Sequence, residues 1–270
     1  MANILVFTDL DGTLLDHFTY SFADAIEAIN LLKKLNIPLI FTTSKTKSEV
    51  LKLQEEIGIN YPFIVENGGA IIFHENIPLL PKGAVRLENG LYALILGKKR
   101  EDLISCGKKL KEKFNIKLFS EMDDYELKKV MSLPDDRLEL SKKREFSEPF
   151  ICFDDSLIDD MKNFCKNYGI KILKGGRFYH LVGEKQDKGV AVKKVLEIYR
   201  KILKEFVTIG VGDSNNDIDM LKEVDYPVVV KRHDGTHIKL DIENTVYTEL
   251  IGPKGFNEAV VYLVNKIMNS

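Results

Sequence analysis

The chain has 270 residues, enough for one large domain or two. Apolar residues make up 44% and charged residues 30%, a globular rather than a disordered composition. With 39 Lys and Arg against 41 Asp and Glu the formal charge is −2, so the basic excess of a general nucleic-acid binder is missing.

The first residues run straight into Ile4-Leu5-Val6-Phe7, without the basic stretch and cleavage site of a signal peptide, and no apolar run approaches membrane-spanning length. Cys106, Cys152 and Cys165 form no CxxC pair, which argues against a disulfide framework or a zinc site and fits a reducing cytoplasm. Trp is absent and Lys, Glu and Ile are abundant, a thermophile-like bias.

Asn3 to Phe7 has the length of a buried strand and ends at Thr8-Asp9. Ala23, Ile26, Ile29, Leu32 and Leu35 follow at helical spacing. Pro38 to Phe41 predicts a second strand, with Ser44 as N-cap of a helix carrying Val50, Leu51, Leu53 and Ile57. Phe63 to Val65 is a third strand, followed by Glu66-Asn67-Gly68-Gly69. Strands alternating with helices predict an α/β fold with a doubly wound parallel sheet. From Gly83 to about Gly175 the pattern changes: a strand at 91–96, helices near 100–114 and 155–168, strands near 150–153 and 170–173, and a charged stretch from Pro134 to Glu145. That predicts an α/β unit at 84–175 inserted into a core made of 1–83 and 176–270. The core pattern resumes with a helix at about 188–203 and strands at 206–210 and 226–230.

Four polar clusters sit where apolar strands end or where a core helix opens, and ligands of open parallel sheets bind at carboxyl ends of strands. Asp9-Leu10-Asp11-Gly12-Thr13 places two carboxylates two residues apart. Asp, Gly and Thr are turn formers, but adjacent anions at a buried strand end repel unless a cation holds them. Mg²⁺ takes carboxylate, carbonyl and water oxygens and meets that need. At Thr42-Thr43-Ser44-Lys45 a hydroxyl beside exposed helix N–H groups suits a phosphate oxygen, although Ser44 could simply cap the helix. Lys188 opens a core helix and could hold a phosphate, against the ordinary alternative of a solvated lysine. Gly212-Asp213-Ser214-Asn215-Asn216-Asp217 follows a strand and offers Asp213 and Asp217 as further metal ligands, against the alternative of an acidic helix start.

In that order, DLDGT, a Thr/Ser strand end, a KG-bearing helix and GDSNND resemble the four motifs of the haloacid dehalogenase superfamily. The long insertion between the second and third resembles its subgroup with an α/β cap. The resemblance implies a Rossmann-like core with an inserted cap. A narrower similarity rests on Thr43-Ser44-Lys45-Thr46, Glu66-Asn67-Gly68-Gly69, the segment from Arg144 to Phe150 and the segment from Gly175 to Leu181. These look like the mannosyl-3-phosphoglycerate phosphatases; TSK stands where related sugar phosphatases more often have TGR.

The resemblance implies Asp9 as nucleophile, Asp11 as acid and base, and Mg²⁺ held by Asp9, the Asp11 carbonyl, Asp213 and waters, with Asp217 in support. Thr43 and Lys188 would bind the transferring oxygens, with Ser44 and Lys45 beside them on the substrate. Arg144 and Arg177 would pair a glycerate carboxylate, and Tyr179, His180, Glu66 and Asn67 would meet sugar hydroxyls. The expected partner is a small phosphorylated sugar-glycerate, not nucleic acid or membrane. The competing readings are a phosphatase for another sugar phosphate, a phosphomutase, or a phosphate-binding protein without catalysis.

Overall fold

A computed structural model describes residues 3–75, 77–131 and 133–269. The strands in chain order are β1 (Ile4–Thr8), β2 (Leu39–Phe41), β3 (Phe63–Val65), β4 (Ala70–Phe73), β5 (Val85–Arg86), β6 (Tyr92–Ile95), β7 (Ile116–Leu118), β8 (Glu148–Cys152), β9 (Ile170–Lys174), β10 (Tyr179–Gly183), β11 (Val207–Gly212), β12 (Tyr226–Lys231) and β13 (Val246–Ile251). The helices are α1 (Ile26–Lys34), α2 (Lys47–Ile57), α3 (Arg100–Lys111), α4 (Asp124–Met131), α5 (Asp135–Ser141), α6 (Ile158–Lys166), α7 (Lys188–Ile202), α8 (Ile218–Leu221) and α9 (Gly252–Met268).

Strand β1 is buried along its length because β11 and β2 flank it in a parallel sheet of order β13-β12-β11-β1-β2. Alternate side chains leave a strand on opposite faces. Ile4 and Val6 therefore join the cluster of α1, α2 and α9, with Ala28, Leu32, Val50, Phe256 and Val260. Leu5 and Phe7 join the cluster of α7 and α8, with Val192, Val195, Leu196 and Met220. The result is the doubly wound three-layer core expected from the unbroken apolar runs. Helix α1 begins later than its periodicity suggests, because residues 23–25 form a single 3₁₀ turn.

Strand β3 joins this sheet through a parallel bridge between Thr42 and Ile64. It also starts an antiparallel sheet of order β3-β4-β6-β5, so strands 85–86 and 92–95 extend the core. The insert has its own antiparallel sheet, β7-β8-β10-β9, whose apolar face packs on α3 and α6 through Leu103, Leu110, Phe150, Met161 and Leu181. Strand pairing thus limits the insert differently from the sequence pattern. It starts between Ile95 and Arg100, after β6, and ends at Gly183, because β10 pairs with β8 and β9. The expected edges at 84 and 175 cut through both sheets. The sequence shows where apolar runs lie but not which strands exchange hydrogen bonds. No helix among the described residues is long and apolar enough to cross a membrane.

Candidate active site

The carboxyl ends of β1, β2 and β11 and the start of α7 meet under the insert. The N–H of Asp9 donates to the Val211 carbonyl at 2.9 Å, so β1 still pairs with β11 at Asp9. Leu10, Leu14 and Leu15 are buried and anchor the following turn. Gly12 closes that turn at φ +83°, where an added Cβ would lie 3.1 Å from Asp213 Oδ2. Thr13 Oγ1 donates to Asp213 Oδ1 at 2.8 Å and ties the first cluster to the last.

Lys188 is set by its helix. Asp187 caps α7 by accepting from the Val190 N–H, and Lys188 is the first helical residue. Its Nζ lies 2.6 Å from Asp9 Oδ1 and 2.6 Å from Asp217 Oδ1, at 1% exposure. This is not a solvated lysine. Asp217 Oδ2 accepts from the N–H groups of Asp213 (3.2 Å) and Ser214 (2.9 Å), which folds the GDSNND turn around the carboxylate.

Carboxylate oxygens of Asp9, Asp213 and Asp217 lie within 4.8 Å of one another. Burial raises the Asp9 carboxyl well above its usual range; Lys188 opposes this and Asp217 and Asp213 add to it. Burial, then Asp217, pushes Asp213 up to about 7. Burial would lower Lys188, but Asp217 and Asp9 outweigh it and hold the ammonium charged. One ammonium therefore faces three carboxylates, an excess of hard oxygen donors that suits a divalent cation of the Mg²⁺ type. Asp11 is not part of this trio; its Oδ1 lies 2.9 Å from Lys45 Nζ.

The second strand end differs from expectation in one detail. Thr46, not Ser44, caps α2, in a capping box with Glu49. Thr43 Oγ1 accepts from the Lys45 N–H at 3.1 Å and is buried, while Ser44 and Lys45 line the cleft. Lys45 is buried and sits 3.5 Å from Glu49 as well as beside Asp11. These two anions hold its ammonium charged against the cost of burial.

Core and insert enclose a cleft of about 430 Å³. Arg144, Arg177 and His180 line it on the insert side. Burial first, then Arg144 and Lys188, lowers His180 to about 3, so its imidazole is neutral at physiological pH. Among the described residues its Nδ1 and Arg144 Nε are buried without a hydrogen-bond partner, and both residues line the cleft. Arg177 is otherwise engaged: it donates to the His17 carbonyl at 2.9 Å and to the Tyr20 hydroxyl.

Three expected sugar contacts lie elsewhere. Tyr179 points away from the cleft and stacks on Phe150 at 5.6 Å in the insert's core, because its neighbour His180 takes the cleft side of β10. Glu66 accepts from the N–H groups of Glu145 (2.8 Å) and Phe146 (3.1 Å) and from Ser147 Oγ (2.6 Å). Asn67 accepts from Asn216 Nδ2 at 3.0 Å. Glu66, Asn67 and Gly68 all adopt positive φ, and a Cβ on Gly68 would come within 2.1 Å of the Asp187 carbonyl. Glu66-Asn67-Gly68-Gly69 thus forms a tight turn, left-handed at its first three residues, that packs on the start of α7 and on residues 145–147, and neither Glu66 nor Asn67 lines the cleft. His17, Tyr20, Arg232 and His233 also line the cleft and were not expected there. Arg232 and His233 follow β12, so the rule for strand carboxyl ends could have found them. Nothing in the spacing of Tyr20 singles it out.

Three comparisons place this architecture. The family described as haloacid dehalogenase-like hydrolases matches residues 6–239. A Persephonella marina protein named glucosyl-3-phosphoglycerate/mannosyl-3-phosphoglycerate phosphatase is 43% identical, over 98% of this chain and 98% of its own. A Methanococcoides burtonii protein of the same name is 38% identical, again over 98% of both. Among solved structures, a Thermoplasma acidophilum protein superposes with a TM-score of 0.69 at 19% identity, covering 98% of this chain and 99% of that one. The sucrose-phosphatase of Synechocystis, solved with sucrose and phosphate, gives 0.63 at 14% identity, covering 98% and 99%. The last two show a shared fold. With the family matched over most of its length and its four motifs gathered at one cleft, the chain belongs to the haloacid dehalogenase-like hydrolases.

Proposed function

We propose that the protein is a Mg²⁺-dependent phosphatase that hydrolyses 2-O-mannosyl-3-phosphoglycerate, and its glucosyl analogue, to the glycosylglycerate and phosphate. The observation that carries the chemistry is Asp9, held by Lys188 at a strand end beside two further carboxylates and under a cleft lined with basic residues. The substrate class rests on the two full-length relatives of that name.

In this reading Asp9 attacks phosphorus in line. The P–O ester bond breaks, and the leaving alkoxide takes a proton from Asp11. Asp11 then accepts a proton from a water that attacks the aspartyl-phosphate; the P–O bond to Asp9 breaks and phosphate leaves. Lys188 and the Thr43 hydroxyl stabilise the transferring oxygens. Asp9, Asp213 and the Asp11 carbonyl would hold Mg²⁺, with Asp217 in support; when bound, the ion supplies positive charge between two anions that would otherwise repel. Arg144, whose Nε has no hydrogen-bond partner among the described residues, pairs the glycerate carboxylate, and neutral His180 meets the sugar.

The test is phosphate release from a panel. The mannosyl and glucosyl compounds should exceed mannose 6-phosphate and plain 3-phosphoglycerate by about 10²-fold or more in kcat/KM, since each fragment leaves buried polar groups unpaired. Equal or better turnover of either fragment would remove the substrate assignment and leave the phosphatase.

Metal and proton should compete. Asp213 is raised to about 7, so the folded metal-free protein binds protons that the unfolded chain has lost. That contribution to stability is present below about 4 and disappears as pH rises through about 7. Mg²⁺ needs the ionised carboxylates, so its effect has the opposite sign. The gain in Tm on adding Mg²⁺ over chelator should grow as pH rises from 5 through 7 and go on growing towards 8, since Asp213 is only half ionised near 7. A pH-independent gain would contradict binding at these carboxylates.

A further inference from the structure

We infer that Tyr20 is a positioning residue that couples the seating of the insert to the site of Asp11; this rests on the phosphatase reading. Tyr20 belongs to the loop that follows the nucleophile turn. The loop is braced by Asp16, whose Oδ1 accepts from the N–H groups of Phe18 (3.1 Å) and Thr19 (2.8 Å), and whose N–H donates to the Ser21 carbonyl at 2.9 Å. Tyr20 itself is held at φ +57°, a left-handed conformation that costs a residue with a Cβ. Such strain persists only where surrounding contacts outweigh it.

Those contacts come from both sides of the cleft. The hydroxyl donates to the Met131 carbonyl at 2.9 Å and accepts from Arg177, both in the insert. The Arg177 guanidinium also lies over the ring, 5.3 Å from its centroid, and donates to His17 in the same loop. The ring packs on the insert's satellite cluster of Phe119, Met131, Leu133 and Phe178. On the core side, Lys45 Nζ stands 4.8 Å from the ring centroid while it pairs with Asp11. One ring thus touches Arg177 from the insert and Lys45, the ion-pair partner of Asp11, from the core. An insert that seats incorrectly moves Tyr20, and Lys45 loses one of the walls that hold it against Asp11.

The experiment compares Tyr20→Phe, Arg177→Gln and the double variant on the glycosylated phosphoglycerate and on a small aryl phosphate. Phe keeps the ring beneath Lys45 and removes both polar links to the insert. The ratio of kcat/KM for the two substrates should fall about tenfold in Tyr20→Phe, because only the large substrate draws on the insert's alignment. The double variant should lose clearly less than the product of the two single losses, since the Tyr20–Arg177 hydrogen bond is broken by both substitutions. Losses that multiply, or equal losses on both substrates with a lowered Tm, would overturn the assignment and leave Tyr20 a packing residue. Wild-type turnover is measured first. If another phosphomonoester proves the better substrate, the substrate reading fails, and the same ratio taken with that compound still decides the role of Tyr20.

Discussion

Asp9→Asn is expected to lower turnover by at least about 10⁴-fold and to abolish any phosphoenzyme, because an amide cannot accept the phosphoryl group. The protein should nevertheless fold, and the substitution should not lower Tm in the absence of metal. Asp9 is buried, and Asp213 and Asp217 push its carboxyl in the same upward direction as burial does. Asn has nearly the same shape and relieves that repulsion, although Lys188 exchanges an ionic partner for a neutral one at 2.6 Å. The separation of activity from stability is the informative part. A loss of both would mean that Asp9 works as a structural ion-pair partner. Steady-state activity in the purified variant beyond contamination would sink the nucleophile assignment.

The sequence carried the site's acidic half well, for a physical reason. Asp9 and Asp213 directly follow the buried parallel strands β1 and β11, and Asp217 follows in the next turn, so a run of apolar residues stops at a cluster of carboxylates. Both the run and the cluster are visible in one dimension. Lys188 was legible through its place at the opening of a helix, although its complete burial was not. The cap side was less legible because its chemistry depends on which face of a strand a side chain takes and on who pairs with whom. Tyr179 and His180 are neighbours with opposite fates: one packs on Phe150 and the other lines the cleft. Glu66 looked like a polar ligand because a buried carboxylate at a turn and a ligand-facing one have the same letter. Its three acceptor bonds to residues 145–147 come from a segment about eighty positions away. Arg177 lines the cleft, but its partners His17 and Tyr20 lie in a distant loop that no spacing in the sequence connects to it.

Lys188→Met should be the most damaging single change to stability, and it should slow turnover as well. Met matches the length of the lysine stem and keeps the packing of α7, so the loss isolates the ammonium. That ammonium is the shared partner of Asp9 and Asp217 in a site almost closed to water. Removing one side of a buried ion pair costs about 3–5 kcal/mol, because the remaining charge keeps its desolvation penalty without its compensation. Activity should fall by about 10³-fold, the scale of one preorganised donor to a developing oxyanion. The pH dependence supplies the sign. Without Lys188 the Asp9 carboxyl loses the main influence that lowers it and rises further above the unfolded value. The folded variant then binds more protons than the unfolded chain across the neutral range, so its stability deficit should widen as pH rises from 6 to 8, by about 1 kcal/mol or more. Asp217→Asn in the Lys188→Met background should restore part of that stability and none of the rate. The two substitutions act on one charge balance, and their effects on Tm should therefore not add. A Lys188→Met protein as stable as wild type at pH 8 would show that the ammonium is not what holds the carboxylates together.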